Sequence, residues 1–394
     1  MTEKLYYQDA FMKEFTATVL SADERDGKNV VTLDRTAFYP EGGGQLADSG
    51  WLKLADGTMV GVLDVQEEDG EIRHTVSEMI KPGTQVSGIV NWDLRFDHMQ
   101  QHSGEHIVSG MICSAFDCNN VGFHMGEDLV IIDYDAKISF EQILEIEEKA
   151  NEYIWEDHEF QEQWPSKEEL AQMEYRSKKE LEGDVRITRF PGADCCACCG
   201  THVVSSGQVG LVKFLSAKPF HDGTRFELLC GKRAFDYLAM NYTENKAVAV
   251  QLSTSERNTS EYVGKLLEEH AKERTQAQIA EDELLKKWAE QFPAGGKVFV
   301  IEDWMSPKQG RQLADLAADR CRMIAVFAKS GEGYQYSVIS RNADISGFIK
   351  EMNQALSGRG GGRNGFAQGS VNVRRRQIAE YLKSQGFTSL SEAE

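Results

Sequence analysis

Two imidazoles four residues apart, His102 and His106, lie in the run Gln101-His102-Ser103-Gly104-Glu105-His106. On a helix, positions i and i+4 share a face, so both rings can point at one atom. Only one other stretch is comparably dense in soft ligands: Cys195-Cys196-Ala197-Cys198-Cys199-Gly200-Thr201-His202. Cys198 and His202 stand in Cys-x-x-x-His spacing, and Gly200-Thr201 permits the tight turn that brings a thiolate and an imidazole onto one ion. His102, His106, Cys198 and His202 then form a tetrahedral nitrogen-and-sulfur set, which favours Zn2+ over oxygen-seeking magnesium or calcium. Two other readings stay open. Cys195 with Cys198, and Cys196 with Cys199, are Cys-x-x-Cys pairs of redox type, although no strand running into a helix accompanies them. A purely structural zinc would close its shell with four protein ligands, so catalysis would need a ligand to yield or a water held beside the metal.

These residues must be placed by the elements around them. Leu94, Met99, Ile107, Val108 and Ile112 recur at helical spacing and predict a helix over 93–113, with His98, His102 and His106 on one stripe. Before it, strands are expected at 15–20, 29–33, 59–63, 71–75 and 85–90, separated by Asp-Gly and Pro-Gly turns in the manner of a small antiparallel barrel. The stretch 36–50 interrupts them with Gly42, Gly43 and Gly44, which either bring backbone amides close to a ligand or form a flexible connector. Strands at 129–134, 185–190, 208–214 and 224–229 and a helix at 138–155 predict a mixed second domain. A charged, sparsely apolar helix is expected from Ser253, where Ser253 and Glu256 have capping-box spacing, to about 292. It reads as an exposed spacer or a pairing arm. Strands at 297–301, 323–327 and 334–339 then alternate with helices at 308–318 and 345–356, as in a small α/β domain that ends in a glycine-rich loop over 358–370.

The chain of 394 residues exceeds one ordinary hydrophobic core, and 41% hydrophobic with 27% charged is a globular mixture. The expected class is α+β, divided into 1–90, a β-barrel; 91–245, a zinc-binding domain; 246–293, a helical arm; and 294–394, a small α/β domain. A net charge of -20 works against nonspecific binding to nucleic acid or anionic membranes, so a polyanionic partner must meet local basic patches. No long apolar run and no signal-peptide pattern at the start are seen, which predicts a cytoplasmic protein with no membrane partner. In that compartment eight cysteines, four of them within five positions, read as metal or redox chemistry rather than disulfides.

Three motifs together resemble the editing part of alanyl-tRNA synthetases and the stand-alone alanyl-tRNA editing proteins of the AlaX type. They are Thr36-x-Phe38-Tyr39-Pro40-Glu41-Gly42-Gly43-Gly44-Gln45 with Asp48-x-Gly50, His102-x-x-x-His106, and Cys198-x-Gly200-Thr201-His202-Val203. The last loop, with Ala367-Gln368-Gly369, is similar to the domain associated with DHH phosphoesterases, and the resemblance spans roughly 10–372. Cys199 departs from a common glycine, and Arg363-Asn364-Gly365-Phe366 departs from the usual residues of the last loop. The resemblance implies an editor without an alanine-activating domain. It implies that His102, His106, Cys198 and His202 hold zinc while Thr36, Gly42, Gly43, Gly44 and Gln45 line an aminoacyl pocket. The reaction would be ATP-independent hydrolysis of the ester in mischarged tRNA(Ala), carrying serine or glycine. Thr36 would bind a serine hydroxyl, Gln45 and loop amides would donate to the oxyanion, and His98 or Glu105 would act as base or support the zinc histidines. Arg186, Arg189, Lys232, Arg233, Arg359 and Arg363 are the expected tRNA contacts, and the helical arm with the last domain would make a homodimer. The competing functions are a non-catalytic, zinc-stabilised RNA-binding protein and a zinc hydrolase of a small ester or amide.

Overall fold

The computed structural model describes residues 2–177 and 183–390. Its class is α+β. The chain divides into two compact units, Met1–Ala247 and Val248–Glu394.

The first unit opens with a closed barrel of strands β1 (Glu14–Arg25), β2 (Lys28–Leu33), β3 (Gly50–Leu54), β4 (Met59–Glu68), β5 (Glu71–Val76) and β6 (Gln85–Val90). The barrel order is β1-β2-β5-β4-β3-β6, with antiparallel neighbours throughout. Strand β3 is additional to the five strands expected from the sequence and follows directly on the 36–50 stretch. Leu52, Val60, Val62, Val65, Ile72 and Val86 fill the interior, as the period-two pattern of half-buried strands requires.

Helix α1 (Trp92–Phe116) leaves the barrel and is buried on every face from Gln101 to Gly110. A helix buried all round must satisfy its polar side chains internally. The sheet behind it runs in the order β12-β13-β8-β7, built from β7 (Asn120–Met125), β8 (Val130–Tyr134), β12 (Val212–Phe220) and β13 (Gly223–Cys230). Helix α2 (Phe140–Trp155) is started by a capping box between Ser139 and Gln142. A smaller sheet joins β9 (Gln161–Gln163), β10 (Ile187–Phe190) and β11 (Asp194–Ala197), so half of the cysteine cluster is strand. Barrel and helix are locked by Arg95 and Asp48, both buried. Arg95 Nε lies 3.0 and 2.9 Å from the two carboxylate oxygens, and the guanidinium also donates to the carbonyls of Ala10 and Ala37.

Helix α3 (Gly231–Gln251) follows β13. In the second unit, α4 (Thr259–Glu290) begins after Asn258, whose side chain makes no capping bond. The expected capping box at Ser253 does not form, because Ser253 adopts a positive φ of 52° in the preceding turn. A six-stranded sheet then runs β17-β18-β16-β15-β14-β19, from β14 (Lys297–Glu302), β15 (Met323–Ser330), β16 (Gly333–Ile339), β17 (Gly358–Arg363), β18 (Phe366–Val371) and β19 (Thr388–Ser389). The glycine-rich stretch expected as a loop is thus the hairpin β17–β18, turning at Asn364-Gly365 with φ 55° and 76°, a pair suited to a tight hairpin turn. Helices α5 (Pro307–Ala317), α6 (Ser346–Ala355) and α7 (Arg375–Ser384) complete the unit. Among the described residues, no helix is long and apolar enough to cross a membrane.

Candidate metal centre

Helix α1 carries His102 and His106 one turn apart, and the loop after β11 brings Cys198 and His202 against them. One donor atom from each of the four residues lies within 4.8 Å of every other. Each imidazole uses Nδ1 on a protein partner: His102 Nδ1 donates to Gln45 Oε1 at 2.9 Å, His106 Nδ1 to Asp194 Oδ2 at 2.7 Å, and His202 Nδ1 to Ser103 Oγ at 3.1 Å. The tautomers are assigned from these partners. All three Nε2 atoms therefore face the centre, with those of His102 and His202 at 3.5 and 3.4 Å from Cys198 Sγ. Donors about 3.5 Å apart are what a tetrahedral zinc with bonds of about 2.0–2.3 Å separates. Outer partners that fix the ring orientation of every histidine are the usual companions of metal ligands.

The electrostatics agree with a site prepared for a cation. Burial alone would raise the Cys198 pKa, but His102, His106 and His202 outweigh it and hold the thiol well below its ordinary value. Burial works to lower His106, and the Cys198 thiolate with the Asp194 carboxylate overcomes it, lifting the imidazole to about 10. His202, dominated by burial, falls to about 3. Asp194 is held low: burial would raise it, but His106 and Arg176 prevail. The residues present fit a zinc ion.

Gln45 joins the barrel to the centre. Its Oε1 also accepts from the Thr201 amide at 3.0 Å, and its Nε2 donates to Thr201 Oγ1 at 2.8 Å. Its side chain is fully buried, with its oxygen accepting twice and one of its two Nε2 hydrogens donated, which leaves the glycine turn as the exposed source of donors. There Gly42 and Gln45 bond each other at 3.1 and 3.0 Å, and Gly43 and Gly44 take φ of 61° and 85°. A Cβ on Gly44 would lie 2.4 Å from the Phe123 ring, and one on Gly43 2.9 Å from Cys199 Sγ. Both glycines are exposed, and neither amide has a hydrogen-bond partner among the described residues. Two N–H groups thus adjoin Cys199, the neighbour of Cys198 in the chain, and Phe123, which stacks on His102. Gly200 makes the opposite approach, since a Cβ there would sit 2.1 Å from the His102 ring.

Other expected residues fall elsewhere. Thr36 is fully buried, its hydroxyl donating to His74 Nε2 at 2.9 Å and accepting from the Phe38 amide at 3.1 Å. One lone pair remains on it, yet nothing reaches that atom unless the residues covering it move. His98 and Glu105 are each only 1% exposed, inside the fold rather than on its surface. Glu105 accepts from Ser109 at 2.7 Å and Asn120 at 2.8 Å inside the fold, and His98 Nδ1 has no partner.

The basic residues divide. Arg186 is buried and grips the ligand loop, donating to the carbonyls of Gly200 at 2.7 Å and Cys198 at 3.3 Å and to Glu162, so it is not free for a phosphate. Arg233 is tied to Asp97 and to the Gly126 carbonyl. Arg189 and Lys232 are exposed, the latter paired with Asp236. In the second unit Arg363 is exposed, and Arg359 lines a cavity of about 520 Å3 with Lys308 and Arg311. Asp194, Arg176 and Ser103 were missed from sequence. An aspartate abutting the cysteine cluster was a usable signal for Asp194, whereas nothing local marks Arg176.

Comparison with known proteins places these features among relatives. Residues 2–94 match the family model of class II (A) tRNA synthetases, and residues 185–226 match that of the threonyl and alanyl tRNA synthetase second additional domain. The first of these regions holds the barrel, and the second holds the Cys198–His202 loop. The alanine–tRNA ligase of Pyrococcus abyssi is 30% identical over 392 residues, covering 94% of this chain and 42% of the ligase. The chain thus spans less than half of that relative. The alanyl-tRNA editing protein AlaX-L of Pyrococcus horikoshii is 26% identical over 401 residues, with 96% of each chain covered. The C-Ala domain of Aquifex aeolicus alanyl-tRNA synthetase matches 24% of the chain at 20% identity, with a TM-score of 0.21 that carries no structural argument.

Proposed function

We propose that the chain is an alanyl-tRNA editing protein of the AlaX type that hydrolyses the ester of mischarged tRNA(Ala), acting in the cytoplasm on seryl-tRNA(Ala) and on glycyl-tRNA(Ala). The observation that carries the reading is the convergence of His102, His106, Cys198 and His202 on one point beside the exposed Gly43–Gly44 amides. Zinc held by those four residues would supply Lewis acidity toward the carbonyl oxygen and the lone pair of an unprotonated amino group at the aminoacyl end.

The chain's own groups account for the rest. An aminoacyl ester is already activated, so positioning and oxyanion stabilisation suffice. The amides of Gly43 and Gly44 donate to the developing oxyanion, while Gln45 and Arg186 keep the ligand loop seated. Phe123, stacked on His102 with ring centroids 5.1 Å apart, walls one side. Such an activity answers a general difficulty: a pocket sized for alanine rejects glycine weakly and serine imperfectly. Arg189 and Lys232 near the site, and Arg359 and Arg363 in the second unit, are the tRNA contacts in this reading. A homodimer through α4 would cover Leu266 and Leu267, which are 54% and 64% exposed.

The experiment is single-turnover deacylation of seryl-, glycyl- and alanyl-tRNA(Ala), with and without a chelator. Release of serine or glycine that the chelator abolishes supports the reading. The four-protein donor set also favours zinc as a structural pin in a non-catalytic RNA binder. Tight tRNA binding without amino acid release would establish that alternative instead.

A further inference from the structure

His106 belongs to two overlapping donor clusters. Besides the set with His102, Cys198 and His202, its ligand atoms lie within 4.8 Å of Asp194 and Cys196, and all three residues of this second cluster are buried. An imidazole has one lone pair in its neutral form, so the nitrogen that carries the proton decides which cluster it can serve. A carboxylate and a thiol beside a histidine are themselves a passable metal site. Something must keep an ion from settling there.

Arg176 occupies that place. Its Nε and Nη2 meet Asp194 Oδ1 and Oδ2 at 2.7 and 2.9 Å in a bidentate pair, and Asp194 Oδ2 receives His106 Nδ1 at 2.7 Å. The guanidinium is a fixed cation that cannot give up its charge, and its fork uses both carboxylate oxygens. Its backbone is held as well: the Arg176 amide donates to Cys195 O at 2.8 Å, and the Ala197 amide donates to Arg176 O at 2.9 Å. The arginine is thus laced onto the far side of the strand that carries Asp194 and Cys196.

We infer that Arg176 is a positioning residue that assigns His106 to the four-donor centre. By standing where a second cation would bind, it keeps Asp194 an acceptor of the Nδ1 proton and so leaves Nε2 for the first site. This rests on the zinc reading of that site. The test uses the full chain, stripped of metal and titrated with cobalt(II), in the wild type, Arg176→Met, Arg176→Lys and the Arg176→Met/Cys196→Ala double variant. The wild type is expected to take one equivalent. Arg176→Met is expected still to take one equivalent, now divided between the two clusters because His106 serves only one at a time, with an added thiolate-to-cobalt component that disappears in the double variant, and to bind at least about tenfold more weakly. Arg176→Lys keeps the charge but not the fork, so it is expected to hold one equivalent, bound several-fold more weakly; it carries the test should Arg176→Met not fold. One equivalent with wild-type affinity and spectrum in both arginine variants overturns the inference alone. No cobalt uptake by the wild type overturns the zinc reading, and the inference with it.

Discussion

Helix α1 meets an arginine–aspartate pair near each end, and the two pairs differ in what they hold. At the start, Arg95 and Asp48 are 0% and 1% exposed, and their remaining bonds go to the Tyr39 amide and to the carbonyls of Ala10 and Ala37. Every partner is backbone of the barrel or its approach, so the pair fastens helix to barrel. Toward the other end, Arg176 is 22% exposed on its side chain, and Asp194 passes its hydrogen bonding on to His106 of the candidate metal centre. The same two side chains therefore serve architecture in one place and the orientation of a donor in the other. What separates them is the third partner.

The comparison breaks first at Arg95. Removing one member of a buried pair leaves the other charge uncompensated, at a cost of roughly 3–5 kcal/mol. Arg95→Met is expected to shift the urea midpoint of the whole first unit; an unchanged midpoint would deny the pair its fastening role. The next effect concerns His74, a buried titratable group with no charged partner, which donates from Nδ1 to Val31 O at 3.3 Å. Burial lowers its pKa from 6.5 to about 4. The folded state then refuses a proton that the unfolded chain accepts, so stability is full above about pH 6.5 and declines as the pH falls toward 4. The loss approaches roughly 3 kcal/mol. Urea titrations from pH 7 to pH 4.5 should show this decline in the wild type and a flatter profile in His74→Gln.

Asp194→Asn comes third, with an expected 10–100-fold fall in metal affinity, about 1.4–2.7 kcal/mol, and little change in kcat once metal saturates. Competition with a fluorescent zinc chelator would measure it, and equal affinity would remove Asp194 from the account. The smallest effect is at Thr36. Thr36→Val takes away the partner of His74, costing about 1 kcal/mol of stability. A narrowed serine-to-alanine deacylation ratio in that variant would show that the covered hydroxyl also meets substrate, while an unchanged ratio would confine it to His74.

Much of this was legible because the informative signals were local. The i, i+4 histidines and the Cys-x-x-x-His turn are short-range patterns, and period-two strands with Asp-Gly turns announce a barrel. What sequence did not reveal is set by distant contacts. Gln45 looks like an exposed oxyanion donor until it is seen to be fully buried, bridging Thr201 and His102. Arg186 looks like a phosphate ligand until the Gly200 carbonyl claims it. The glycine-rich hairpin misled for another reason: glycine lowers strand propensity, yet here a Cβ on Gly360 would stand 2.5 Å from the Tyr336 hydroxyl, so only glycine lets the strands pack.

The central claim is that four side chains from two distant segments share one divalent ion. Cobalt(II) titration of the wild type against Cys198→Ser tests it most directly. One equivalent with a tetrahedral visible spectrum and a thiolate charge-transfer band that Cys198→Ser abolishes is the expected result. A band that survives in Cys198→Ser, or wild-type protein that binds no cobalt, would contradict it.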